Sequence, residues 1–499
     1  MIHFLPMNIF ARIWDGLIGT FDPVKAVGRR QARNVLNRSV FTGTNDKAFW
    51  RISAQGGTAD QATKRTNGEY RAKARLALEG MPSAIAVVDS LVSLVCSTGS
   101  NIEPNTGNDD QDAKLKYVWN TWFEEMDASG VLDGQGMLRQ LFREDCSVGG
   151  CLWQIVPCDG KILPFGIKAI SIEQLSDEPV KKIPKKNFFS QGVEKDKNGK
   201  PLFYHIVPET EDEFGISDNK LNGERIQADK IIHYYDKTRP SQSVGSSVLF
   251  KMLSTIAQET ELVEVELESA KIASAMAMAI TSESGEAGLG FSEETGDLSK
   301  DDVGNPITKV KSGTVVNLSA GDDIKILEST RPSPMISPFR DMLRGDIAGI
   351  AGLSKTDIDK DYGRANFSSM RAEQLDKKRR FTPVQKYLLK KTLSELYIRL
   401  FPVICAVADV DMATDRVMLK KQQKHTLHTA GWEYINPKED VTTAVLAIEN
   451  GLSTYQEEFG KRGKDWEEHH AQAVSEQNTT LVKLLAEKKE KQNDKTKTK

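Results

Sequence analysis

The spacing of apolar positions changes character along the chain. From Tyr70 apolar residues recur at three and four, as in Ile85, Val88, Leu91 and Val95, which predicts helices, and Pro82 separates two of them. Asp112–Met126 and Gly134–Cys146 read as further helices. Short runs rich in β-branched and aromatic residues follow: CLWQIV from Cys151, FGIKAISI from Phe165, PLFYHIVP from Pro201 and IIHYYD from Ile231. They predict strands. This part of the chain is expected to be an α+β domain, with short strands between helices.

Val248–Ile280 breaks the pattern. Its 33 residues contain no glycine or proline. As a single helix it would be about 50 Å long. Acids stand at Glu259, Glu261, Glu264, Glu266 and Glu268, and Ala, Ser and Met dominate its last third. A stretch rich in Gly, Ser, Asp and Thr comes next, with strand-like segments at Thr314–Leu318 and Ile324–Leu327. Pro338–Ala351 reads as a helix, residues 352–369 as a polar loop, and Ser368–Leu400 as a long basic helix that Pro383 kinks or divides. Phe401–Leu419 reads as a short strand region. Pro437 opens a helical stretch to about Leu485, and a lysine-rich tail with no apolar anchor follows.

At 499 residues the chain is long enough for roughly three domains of about 150 residues each. Such a chain buries a sizeable core without disulfides. Its five cysteines, Cys96, Cys146, Cys151, Cys158 and Cys405, form no C-x-x-C pair, so neither a disulfide framework nor a zinc site is indicated. The net charge of −3 is unlike that of a protein that grips duplex DNA tightly, since phosphate neutralisation supplies most of that affinity. Any DNA contact should be loose or confined to a few positions. No apolar run is long enough to span a membrane. The start, with Phe4, Ile9, Phe10, Ile13, Trp14 and Leu17, is amphipathic. It suits a helix docking on its own chain or a neighbour, or else a membrane surface.

Candidate chemistry is sparse. Asp357, Asp359 and Asp361 suggest a calcium loop, but the positions that need Gly and Glu hold Tyr362 and Ser368, which leaves a solvated loop. His425, His428, His469 and His470 do not form H-E-x-x-H and read as surface histidines. No phosphate-binding P-loop and no G-x-S-x-G elbow occurs. Cys146 and Cys151 read as buried small hydrophobes. No catalytic residue, metal site or cofactor is therefore assigned. The acids of the long helix have two readings: a solvated face, or the wall of an anionic channel that keeps a polyanion from sticking.

Several segments resemble the portal family of lambda-like tailed phages. Tyr70–Gly99 is similar to its opening helical region. Ile231–Leu249 resembles a strand ending in histidine, an Arg-Pro-x-Gln turn and a glycine before a long helix, here His233, Arg239, Pro240, Gln242 and Gly245. The family usually has a basic residue before that glycine, and Val244 departs from it. Gly352, Leu353, Asp361, Tyr362, Asn366, Ser368, Ser369 and Arg371 match a further segment. Trp432, Asn436, Pro437, Lys438, Gly451, Leu452 and Asp465 match a late one, with Asn436 where the family more often has Asp. The resemblance spans about residues 70–470, and its specificity lies in the order of the motifs.

The resemblance implies an α+β portal fold with wing, stem, clip and crown, in a ring usually of twelve subunits in the virion. It implies an N-terminal arm at 1–66, wing at 67–247, first stem helix at 248–280, clip at 281–332 and second stem helix at 333–351. A tunnel loop at 352–369, the long helix and remaining wing at 370–430, a crown at 431–482 and a tail at 483–499 complete the plan. The expected partners are double-stranded DNA in the channel, the terminase large subunit, major capsid and scaffold proteins, and a head-completion or tail adaptor. The expected place is the portal vertex, after assembly in the host cytoplasm. Glu259, Glu261, Glu264, Glu266 and Glu268 are then candidates for the channel face, and Lys355, Lys360 and Arg364 for transient phosphate contact. Plain loop solvation is the alternative for these three cations. An enzyme of the packaging system and a non-channel oligomeric scaffold are the competing classes.

Overall fold

The structure is a computed structural model that describes residues 58–97, 99–207, 223–275, 279–282, 299–300, 306–307, 322–325, 333–363, 366–429, 431–432, 437–460 and 466–475. The N-terminal arm up to residue 57, Thr314–Leu318, Arg364, Asn436, Asp465 and the lysine-rich tail lie outside the described residues. The chain forms two compact units, one of Met1–Ser254 with Ala348–Lys499 and the other of Thr255–Ile347.

The first unit opens with α1 (Ala59–Gly80) and α2 (Pro82–Val95). Thr58 and Gln61 form a capping box at the start of α1, and Pro82 starts α2 where its missing N–H costs nothing. The break between the helices bends the chain by 95°. β1 (Asn101–Pro104), α3 (Asp109–Glu124) and α4 (Gly134–Val148) follow. β2 (Cys151–Pro157) lies between β3 (Phe165–Ser171) and β8 (Ile231–Tyr234) in an antiparallel sheet. β4 (Phe188–Ser190), β5 (Val193–Lys195), β6 (Pro201–Ile206) and β7 (Glu224–Gln227) make a second, meandering sheet. The four strands expected from composition are thus β2, β3, β6 and β8.

In the second unit, α5 (Leu253–Ala275) is shorter than expected. The Ser247 hydroxyl donates to the Cys146 carbonyl and accepts from Leu249 N–H, and Leu249–Lys251 is a tight 3₁₀ turn, so the α-helix begins only at Leu253. At the other end the chain is extended again in β9 (Ala279–Ser282), which pairs with β10 (Asp322–Lys325). The strand reads Ala-Ile-Thr-Ser, and β-branched Ile280 and Thr281 suit an extended backbone. α6 (Ile336–Ala351) follows.

Back in the first unit, residues 352–369 are not all loop. They hold the short helix α7 (Lys355–Asp359) and the start of α8 (Phe367–Leu389), which runs through Pro383. A wide π turn at Lys390–Ser394 leads into α9 (Glu395–Ala408). The strand expected at Phe401–Leu419 is therefore helical, continued in α10 (Arg416–Gln422). Leu396, Leu400, Ile404 and Ala408 are all buried, and this four-residue spacing carries the helix through Pro402. The strand comes later, at β11 (His425–His428), which pairs with β1. α11 (Pro437–Glu449), α12 (Tyr455–Gly460) and α13 (Trp466–Ser475) close the described chain.

The core of the first unit is aromatic. Trp119 and Trp122 on α3, Trp153 on β2, and Tyr397 and Phe401 on α9 are fully buried. Trp119 meets Tyr397 edge to face, with centroids 5.4 Å apart. Its indole N–H donates to Asn101 Oδ1 at 2.9 Å, and Trp122 donates to the Phe165 carbonyl at 2.9 Å. Each large side chain buried in this way contributes about 1.5–3 kcal/mol.

Candidate functional site

The five acids of α5 do not share a face. At 100° per residue, Glu259 and Glu266 fall seven positions apart on one side. Both are buried. Glu259 Oε1 accepts from Arg340 Nε at 2.9 Å and from Arg344 Nε at 2.7 Å, both on α6. Glu266 Oε1 accepts from Ser333 N–H at 2.6 Å. These two acids tie α5 to α6 and to the residues just before it: the double arginine partner claims Glu259, and Ser333 claims Glu266. Glu261, Glu264 and Glu268 are exposed. Their spacing of three and four places them along one stripe.

The segment after α6 is organised from its turns. Gly352, at φ 73°, ends the helix in the left-handed conformation, and Leu353 N–H closes back on the Ala348 carbonyl at 2.9 Å. A Cβ at Gly352 would also fall on the Arg380 guanidinium, and the left-handed backbone there favours glycine. Ser354 and Asp357 then form a capping box that starts α7. Lys377 of α8, 4% exposed, reaches α7 and bonds Asp357 Oδ1 at 2.6 Å and Glu373 Oε1 at 2.5 Å. Glu373 also accepts from the hydroxyls of Ser354 and, at 2.8 Å, Thr356. Burial pushes the Glu373 carboxyl up, but hydrogen bonds from Lys377, Ser354 and Thr356 outweigh it and hold it below the usual carboxylate range.

Lys360 ends α7 in the left-handed region at φ 55°, with its ammonium 3.5 Å from Ser90 Oγ. Lys355 stands at the other end of α7, 3.7 Å from Asp359. Tyr362 is exposed, and Asp361 Oδ1 accepts from Gly363 N–H at 2.9 Å. Asn366 and Ser369 cap α8 reciprocally, and Ser368 is exposed beside them. Arg371 pairs with Glu439 at 3.3 Å and lies 3.7 Å from Asp440 on α11. The matched residues of this segment thus make turns, caps and one tie to a later helix.

The His233–Gly245 motif is also architectural. The Gln242 carbonyl oxygen of the side chain accepts from Thr238 N–H at 3.0 Å, Thr238 Oγ1 at 3.1 Å and Arg239 N–H at 3.2 Å, closing the turn while Arg239 and Pro240 stay exposed. Ser243 N–H donates to Asp60 Oδ1 at 2.7 Å, tying the turn to α1. A Cβ at Gly245 would land on the Gly149 carbonyl. The His233 ring lies 4.4 Å from Tyr235 and 5.6 Å from Tyr204. Burial, helped by the charge of Arg71, pushes its pKa down to about 3.

His425 bonds Ser394 Oγ at 2.7 Å and His428 bonds Glu103 at 2.8 Å, both in the β1–β11 region. Among the described residues, no group of His, Cys, Asp and Glu is placed to hold a metal ion, and no single helix is long and apolar enough to cross a membrane. Sequence reasoning missed Arg340, Arg344, Glu373 and Lys377. The helix-start spacing of Ser354 and Asp357 is the one sequence signal that could have located the Glu373–Lys377 pair.

Residues 44–385 match the family described as phage portal protein, lambda family. Portal protein B of Escherichia phage lambda is 22% identical over 265 residues, covering 49% of this chain and 50% of that protein. The probable portal protein of Halomonas phage phiHAP-1 is 24% identical over 291 residues, covering 56% and 53%. The chain spans about half the length of the curated relatives it matches. Among solved structures, a chain in the neck of a native GTA particle computed with C12 symmetry is 13% identical, with a TM-score of 0.44 over 81% of this chain and 93% of that one.

Proposed function

The chain belongs to the lambda family of phage portal proteins, and from that membership we propose that it is a subunit of a ring-shaped channel at one capsid vertex. Double-stranded DNA enters through the ring during packaging and leaves through it on ejection. Twelve subunits form it in the virion. The terminase large subunit docks on it first, and head-completion or tail proteins replace the motor. The observation that carries this reading is the family match over residues 44–385.

The mechanism is physical rather than catalytic. DNA must slide, so no contact can be deep. Two unit charges 4 Å apart in water interact by about 1 kcal/mol, close to thermal energy, so a solvated lysine touches a phosphate and lets go. Lys355, Lys360 and Arg364 supply such contacts. Glu261, Glu264 and Glu268 line the bore and keep the duplex from settling on the wall. Support for closure comes from exposed apolar side chains on the same unit: Met335 just before α6, Phe339 and Met342 on α6, and Val265 and Leu267 on α5. A monomer rarely leaves such a stripe in water, and a closed ring gives each subunit two different faces to cover.

The test is a charge reversal, with Glu261→Lys, Glu264→Lys and Glu268→Lys combined in phage. Rings are expected to form at the normal yield while packaging stalls. Full-length packaging by the triple variant would count against the reading.

A further inference from the structure

We infer that Lys377 is a positioning residue for DNA passage, acting through α7 to fix where Lys360 is presented. The inference rests on reading the segment after α7 as the part that faces DNA. α7 has five residues, Lys355–Asp359, and a helix of that length has no stability of its own. Something else must hold it. Two elements do so. On one side the Lys377 ammonium, almost wholly buried, joins Asp357 to Glu373, and Glu373 gathers the hydroxyls of Ser354 and Thr356. The side chains of Ser354, Thr356 and Asp357 thus converge on the Glu373–Lys377 pair of α8. On the other side, Ser90 of α2 donates to the Asp357 carbonyl at 3.0 Å, and Ile358 is buried.

The direction in which the chain leaves α7 is set at Lys360, whose left-handed backbone is two residues past buried Ile358. Lys360 is therefore carried on a fixed pedestal rather than on a free loop. A buried ion network is a poor source of stability but a good source of a single geometry, because its members accept few alternative partners. Removing the lysine leaves two carboxylates beside each other, and their repulsion would release α7 from α8.

The experiment compares the full chain with Lys377→Met, Lys377→Arg, Thr356→Val and Lys360→Glu variants, by amide hydrogen exchange on purified protein and by DNA packaging in phage. In Lys377→Met the amides of residues 355–360 should exchange at least about tenfold faster, while those of α9 keep their rates. Lys377→Arg should restore part of the protection. Thr356→Val, which leaves no buried charge unpaired, should raise exchange by about two- to threefold, and it keeps the test open if Lys377→Met fails to fold. Packaging by Lys377→Met should fall at least about tenfold at unchanged ring yield. Unchanged exchange at 355–360 in both Lys377→Met and Thr356→Val would overturn the inference. So would normal packaging by Lys377→Met alongside stalled packaging by Lys360→Glu. Normal packaging by Lys360→Glu would instead overturn the reading of the loop as a DNA contact.

Discussion

Gly245 and Gly149 touch backbone to backbone, where the turn after β8 lies on the end of α4. Gly245→Ala should cost about 3 kcal/mol, read as a lower urea midpoint, because the new methyl meets a carbonyl that has nowhere to move. The residue was legible in the sequence as part of a motif, but its reason was not, since Gly149 is nearly a hundred positions away. Titration acts on two groups, His233 and Asp145, in opposite directions. His233 is held neutral, so the stability it contributes is complete above its ordinary pKa and is lost as pH falls from about 6.5 towards 3. Burial, with the Asp236 charge adding to it, pushes Asp145 up to about 7. The folded chain therefore keeps a proton there that the unfolded chain loses, and that stability is complete below about 4 and is lost as pH rises to 7. Relative to Asp145→Asn, the wild-type protein should be more stable at pH 5 than at pH 8, with a slope of at most about 1.4 kcal/mol per pH unit. A difference independent of pH would contradict this.

Helices α5 and α6 show what periodicity conveys and what it does not. The acids of α5 were visible as a group, but their division was hidden, because the arginines that claim Glu259 lie about eighty residues later on α6. Glu259→Ala should lower the stability of the Thr255–Ile347 unit by about 2 kcal/mol, less than a wholly buried pair because Arg340 keeps 38% of its side chain exposed. Glu264→Ala should change it by less than about 0.5 kcal/mol, as for other exposed positions. Thermal unfolding of the two variants checks both. The errors of sequence reading have the same origin. Phe401–Leu419 reads as a strand region, yet the buried four-residue spacing from Leu396 to Ala408 keeps the helix going through Pro402. The polar run after Gly352 suggested only loop, although Ser354 and Asp357 carry a helix-start signature.

Order of motifs along the chain was enough to point to the portal family, and two of those motifs, His233–Gly245 and Gly352–Arg371, encode turns and caps of the fold. Ring closure is different in kind: one chain states only which faces it leaves uncovered. The modest net charge of −3 belongs with this, since a bore that gripped duplex DNA would need a surplus of cations. The most direct test is negative-stain electron microscopy of the purified protein. Annular particles with a central hole are expected. Particles that remain monomeric under every assembly condition, with no such annulus in phage heads, would contradict the account.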